Sequence, residues 1–148
     1  MDIMENTTNN FLDTDEPVEK AETPDEKVRK PYVVWCVQNR EYKLKLTTGV
    51  IRKLEQGFGK SLLSAIVDEG IPSVDTLSTT LQAALQKFHH GMKSYGVDEL
   101  LDQYFESGGT QMELLQNVIY PLMHDAGFFT EAQMALLMKE MSAADSDL

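Results

Sequence analysis

Three histidines are the side chains of this sequence best suited to bind a metal ion or to act as a general base. His89 and His90 are adjacent, so on a helix their side chains point about 100° apart. A helical two-histidine metal site needs a spacing of four residues, which places both imidazoles on one face. His124 stands alone beside Asp125. This spacing predicts surface or helix-end roles for the histidines rather than a metal site.

The other polar residues form no recognisable catalytic arrangement. Residues 57–61 (GFGKS) lack the G-x-x-x-x-G-K-[ST] spacing that lets successive backbone amides surround a phosphate. The sequence contains no G-x-S-x-G nucleophile elbow. Asp98, Glu99 and Asp102 fall near the start of a predicted helix, where the helix dipole stabilises carboxylates. We therefore expect no catalytic residues, no cofactor and no metal, and a small enzyme is the weaker alternative.

Negative charge is concentrated at the two ends of the chain. The net charge is −11, and residues 1–30 contain nine acidic and four basic side chains. Because no Lys/Arg-rich face offsets these acidic ends, we expect no binding to nucleic acid. No stretch approaches the roughly 20 apolar residues of a membrane span, and no signal-peptide pattern is present. A cytoplasmic protein without a membrane partner is predicted.

The chain divides into three predicted regions. Residues 1–30 have no apolar periodicity and contain Pro17 and Pro24, which predicts a disordered acidic arm. Residues 31–130 are predicted to form a single globular domain with a β-hairpin and helices. Residues 131–148 are predicted to form a methionine-rich helix followed by an acidic tail.

A β-hairpin is predicted at the start of the domain. Residues 32–37 (YVVWCV) are almost all β-branched or aromatic, and residues 42–46 (YKLKL) alternate between apolar residues and lysine. Residues 38–41 would connect the two strands. Two strands alone are marginally stable, so their apolar face should pack on helices or on the sheet of another subunit. The single Cys36 is expected to be a small buried hydrophobic residue.

Helical periodicity dominates the rest of the domain. Residues 72–92 carry the clearest stripe, which Ser73 should begin and Gly91 should end, giving a central helix about 27 Å long. Its apolar positions are Val74, Leu77, Leu81, Ala84, Leu85 and Phe88. A later helix should kink or break near Val118, because Pro121 lies inside it. The predicted fold class is α+β, mostly α, with an N-terminal β-hairpin packed on a bundle of five or six helices.

A methionine-rich stripe follows the capping-box spacing of Thr130 and Gln133. Its members recur at helical intervals and are Met134, Leu137, Met138 and Met141. Unbranched methionine packs into irregular cores and also onto adaptable partner surfaces. The pattern leaves both interpretations open, and these four residues are the candidate partner-binding site.

Taken in order, the pieces of residues 42–129 resemble the tail assembly chaperones of long-tailed phages and prophages of Gram-positive bacteria. The segments that carry the likeness are YKLKLTT, KLEQGFGKSLLSAI, IPSV, LQAALQKFHHGM, VDELLDQYFESGG and AGFF. None of them is a catalytic signature, so the resemblance rests on their order and spacing. The acidic arm and the residues after Thr130 lie outside it.

The resemblance implies a non-enzymatic function in the cytoplasm of the bacterial host. Members of that family bind the long, aggregation-prone tape measure protein, keep it soluble, help recruit tail tube subunits and are absent from the finished tail. The implied partners are thus the tape measure protein and the tail tube protein, with self-association also open. The alternative is a small helical regulatory or adaptor protein that binds a globular partner, which a stable one-to-one complex would reveal.

Overall fold

The computed structural model describes residues 31–68 and 70–146, and within that part the chain forms one β-hairpin and six helices. The strands are β1 (Val33–Val37) and β2 (Arg40–Leu44). Five of the helices are α1 (Thr48–Phe58), α2 (Leu62–Val67), α3 (Val74–Leu85), α4 (Ser94–Glu106) and α6 (Glu131–Ser146). Between α4 and α6 lies α5, which has three consecutive parts: Gln111–Leu114, the π-helical turn Leu115–Ile119 and Tyr120–Asp125. The predicted α+β class, mostly α, is confirmed. The predicted acidic arm, residues 1–30, lies outside the described residues.

The connection between the strands is shorter than predicted. β1 and β2 pair antiparallel with Val37 opposite Arg40, so Gln38 and Asn39 alone form the turn. Both have positive φ angles, 49° and 68°. A type I′ turn requires this conformation, and its twist matches that of two paired strands. The predicted connection, residues 38–41, was two residues too long because polar residues at its end belong to the strand.

One face of the hairpin packs on helices. Trp35, Val37 and Leu44 are buried, and β1 contacts α4 and α5. Cys36 points to the opposite face and is exposed, so the expectation of a buried cysteine was wrong. Since side chains alternate along a strand, burial of Trp35 and Val37 directs the residue between them to the solvent.

Helix α3 is shorter than predicted. It ends at Leu85 and has 12 residues, so it is about 18 Å long. The Gln86 amide donates to a carbonyl three residues back, at 3.3 Å, which tightens and ends the helix. Gly91, the predicted C-terminal cap, lies beyond that end. Val74 and Phe88, which were predicted in the buried stripe, are 48% and 37% exposed.

Helix α5 contributes more buried side chains than α3, so α5 rather than residues 72–92 is the central element. Its buried residues are Leu114, Leu115, Val118, Ile119, Tyr120, Leu122, Met123 and Asp125. The helix does not break before Pro121, because a π-helical turn precedes it, in which the Tyr120 amide donates to the Leu115 carbonyl, five residues back. Pro121 has no N–H to donate, and the wider turn accommodates it without breaking the helix.

Side-chain caps begin several helices, and those at Ser73 and Thr130 lie where the sequence predicts them. Thr47, Ser73 and Thr110 each accept a hydrogen bond from the amide three residues further on. At α6 the cap is reciprocal, since the Gln133 amide donates to Thr130 Oγ1 at 3.1 Å and the Thr130 amide donates to Gln133 Oε1 at 2.9 Å. This capping box fixes the start of α6.

An ion pair ties the end of the hairpin to α5. Lys45 Nζ lies 3.1 Å from Oδ2 of Asp125, whose side chain is 6% exposed. Asp125 is the last residue of α5, where the helix dipole disfavours a carboxylate. Lys45 supplies the compensating positive charge. The Lys45 amide also donates to the Ala84 carbonyl at 2.9 Å, which holds the chain after β2 against α3.

Candidate functional site

The predicted methionine-rich stripe lies on one side of α6. Met134, Leu137, Met138 and Met141 are each half-buried, and all four pack against the core. Helix α6 makes these contacts chiefly with the Tyr120–Asp125 part of α5. Leu136 is 56% exposed. None of the helices in the described part of the chain is both long and apolar enough to cross a membrane.

Two aromatic rings meet near the start of α6. The rings of Tyr120 and Phe129 meet edge to face, with centroids 6.1 Å apart. Both residues are buried. The stripe is therefore a packed surface that still exposes part of each of its side chains.

Tyr120 gives a pH-dependent measure of this packing. Burial raises the pKa of its phenol, and the negative charge of Glu140 raises the pKa further. The folded protein then holds the phenolic proton more tightly than the unfolded chain does, so stability should fall as the pH rises above about 10. Tyr120→Phe should make this fall smaller, as measured by urea unfolding between about pH 8 and pH 11. Tyr95→Phe, at an exposed tyrosine, is the control, and equal pH slopes for both variants would contradict the prediction.

A second surface, which sequence reasoning missed, lies on the outer face of the hairpin. The rings of Tyr32 and Phe88 meet edge to face with centroids 5.6 Å apart. Lys43 Nζ lies 4.8 Å from the centroid of Tyr32 and 5.8 Å from that of Phe88. We call Tyr32, Lys43 and Phe88 the aromatic–lysine cluster. Cation–π contacts of this kind hold the lysine over apolar surface that would otherwise be in water.

The histidines occupy separate places in the fold. His89 Nε2 accepts a hydrogen bond from the Lys43 amide at 3.1 Å, and its ring contacts Tyr42 at 5.4 Å. His124 lies in the last turn of α5, and His90 is exposed. Within residues 31–68 and 70–146, no three His, Cys, Asp or Glu side chains are grouped so that they could hold a metal ion. His89 thus has an observed structural contact, with the outer edge of β2.

The fold defines a small α+β domain, mostly α. Residues 29–147 match the model of a family of unknown function, DUF6096. The chain belongs to this family. The match contains both strands and all six helices of the described residues, whereas most of the acidic arm lies outside it. No curated protein and no solved structure matches the chain significantly.

Proposed function

We propose that this protein is a tail assembly chaperone of a long-tailed phage or prophage, without enzymatic activity. It binds the tape measure protein in the cytoplasm of the bacterial host, keeps it soluble, helps to recruit tail tube protein and is absent from the finished tail. Two features support the proposal: the resemblance of residues 42–129 to that family, and the methionine-rich stripe of α6. The stripe is the observation that carries it, because it offers a surface for a helical partner.

The geometry of the stripe suits a helical partner whose apolar surfaces vary in sequence along its length. Its four side chains are only half-buried, and three are methionines, which are flexible and polarisable enough to repack against varied surfaces. Displacing α6 from α5 would expose apolar area worth on the order of 4 kcal/mol. A partner helix that covered the same stripe would restore much of this stabilisation. Such an exchange lets the chaperone hold an aggregation-prone helix and release it later.

The charge of the chain supports the same function. A net charge of −11 causes complexes that carry several copies of the chain to repel one another. Mutual repulsion of this kind opposes the association of exposed apolar seams and keeps proteins soluble. We therefore expect several copies to bind along each tape measure chain.

Co-expression with the tape measure protein encoded in the same genome tests the proposal. The wild-type chain should move the tape measure protein into the soluble fraction and remain bound to it in size-exclusion chromatography. Changing Met134, Leu137, Met138 and Met141 together to serine should reduce that soluble fraction severalfold, because the variant removes the apolar stripe. Leu136→Ser is the matched control on the same helix and should leave the soluble fraction unchanged.

Thermal melts of each variant separate loss of binding from loss of folding. Co-expression is compared at a temperature at which every variant is folded. Soluble tape measure protein with the fully folded serine variant would show that the stripe is core and not a binding surface. An insoluble tape measure protein at every expression temperature, with or without the wild-type chain, together with no isolable complex, would disprove the chaperone function.

The aromatic–lysine cluster favours the second candidate function, an adaptor that binds a globular partner. Tyr32 and Phe88 present apolar surface beside Lys43 on the hairpin, well separated in sequence from the stripe. Aromatic residues are enriched in protein interfaces relative to the rest of the surface. A stable one-to-one complex with a globular protein, lost in Phe88→Ser and kept in the serine variant of the stripe, would support this function instead.

A further inference from the structure

The two edges of the hairpin differ in how their backbone groups are used. In this register the backbone groups of Tyr42 and Leu44 face β1, and those of Lys43 and Lys45 face away from it. The Lys43 amide donates to His89 Nε2 at 3.1 Å, and the Lys45 amide donates to the Ala84 carbonyl at 2.9 Å. The outer edge of β2 is therefore occupied by α3 and by the turn that follows it.

The outer edge of β1 is different. By the same alternation, the amides and carbonyls of Val34 and Cys36 point away from β2. They form no hydrogen bond with any residue in the described ranges 31–68 and 70–146. Charged side chains, proline or a bulge usually protect an edge strand from further pairing. The sequence of β1, VVWCV, has none of these, so this edge is competent to pair with another strand.

We propose that β1 pairs antiparallel with β1 of a second copy of this chain, with Val34 opposite Cys36 of the other copy. A two-fold axis at Trp35 generates this register. Each Val34–Cys36 pair then exchanges two backbone hydrogen bonds, and the two hairpins form one four-stranded sheet. The pairing goes beyond the proposed chaperone function and does not depend on it.

Charge complementarity on the outer face of the sheet favours a second copy in this register only weakly, because three inter-strand spacings, about 14 Å, separate the opposite charges. Glu41 is opposite Cys36, and Lys43 is opposite Val34. Each row across the four strands therefore begins with Glu41 of one copy and ends with Lys43 of the other. Pairing Cys36 with Cys36, or Val34 with Val34, would place like charges at both ends of a row. The contact zone itself is uncharged, so it adds no local repulsion between two chains that each carry a charge of −11.

The strength of the dimer follows from the size of the contact. A single pair of short edge strands buries less surface than the roughly 1,200–2,000 Å² of a stable protein interface. The dimer should therefore be weak, with half of the chains paired at a concentration between about 10 μM and 1 mM. Analytical ultracentrifugation over this range should show a monomer–dimer equilibrium.

Variants at the edge test which backbone groups pair. Val34→Pro removes the outward amide while leaving the bonds between β1 and β2 in place, and should weaken dimerisation at least tenfold. Val34→Thr keeps that amide and a β-branched side chain, and should change dimerisation less than about threefold. Far-UV circular dichroism confirms that each variant is folded. If Val34→Pro does not fold, Val34→Lys, which places a charge on the edge, provides the same test.

Cys36 reports the register because it is the only cysteine of the chain. In the proposed register the two Cys36 residues are diagonal neighbours about 7–8 Å apart, which is too far for a disulfide without backbone movement. A short bismaleimide should therefore link two full-length chains efficiently, whereas mild oxidation should not. Cys36→Ser should abolish the link. Efficient disulfide formation would indicate Cys36 opposite Cys36 and would overturn the register.

Hydrogen exchange of the Val34 and Cys36 amides identifies what occupies the edge. The proposal expects protection that rises with protein concentration in step with the dimer. Protection that is already complete in dilute monomer would show that another part of the same chain covers the edge. A monomer at all concentrations with unprotected amides would show an edge left open for a different partner. Either of these last two results overturns the proposal.

Discussion

Replacing Leu85 by alanine should lower the free energy of unfolding by about 2–5 kcal/mol. Leu85 is the last residue of α3 and is completely buried. Truncation removes the apolar contacts of three carbon atoms and leaves a cavity, because the surrounding strand and helices can only partly collapse into it. Leu81, one turn earlier and equally buried, should show an effect of the same size.

Urea unfolding of the purified variants measures this effect. Thr79→Ala is the matched control, since Thr79 lies on the same helix and is exposed. It should change the free energy of unfolding by less than about 0.5 kcal/mol. Equal losses at Leu85 and Thr79 would show that α3 does not present this face to the core.

Trp35→Ala should destabilise the protein by about 3–5 kcal/mol, the largest effect expected from any substitution in the hairpin. Trp35 is 1% exposed, and its ring lies 5.9 Å from that of Tyr104 and 6.4 Å from that of Tyr42. The substitution removes the side chain that joins β1 to α4. Loss of this contact should also increase the unfolding rate.

Trp35→Phe should cost much less, about 1.5 kcal/mol or below. The indole Nε1 of Trp35 is buried and has no hydrogen-bond partner among the described residues, so the native state already bears the cost of its desolvation. Phenylalanine removes that polar group and keeps a ring in place. Urea unfolding of both variants provides the comparison. Losses of equal size would show that Nε1 makes a stabilising hydrogen bond in the folded protein.

Local patterns in the sequence predicted most of the architecture. The alternation in residues 42–46 identified which face of β2 is buried, and Ser73 and the capping-box spacing of Thr130 and Gln133 marked helix starts correctly. These features depend on residues close together in the chain. For that reason, a single sequence is enough to identify them.

Features set by tertiary contacts were missed. The exposure of Cys36 depends on which alternate residues of β1 face the core. Because Trp35 is buried, its neighbour Cys36 faces the solvent. Helix α3 ends early, and in the turn after it His89 bonds to the Lys43 amide on a strand 46 residues away in the sequence. Propensity alone gives no signal for either outcome, because the competing contacts come from distant parts of the chain.

The two candidate surfaces also differ in whether local sequence patterns predict them. The stripe of α6 is periodic within one helix, so its positions were found from the sequence, although its half-buried state was not. In the aromatic–lysine cluster, Tyr32 lies just before β1, Lys43 lies in β2 and Phe88 lies in the turn after α3. No spacing rule connects residues so far apart in the sequence, and only the fold places them together.

The π-helical turn of α5 also bears on how relatives of this chain should be aligned. A turn of this kind, with hydrogen bonds five residues back rather than four, takes one more residue than a regular α-helical turn. In α5 this turn spans Leu115–Ile119, two residues before Pro121. A relative with a regular α-helix here should be one residue shorter in this interval and should lack the proline. An alignment that spreads this difference over the neighbouring loops would assign the wrong residues to the core.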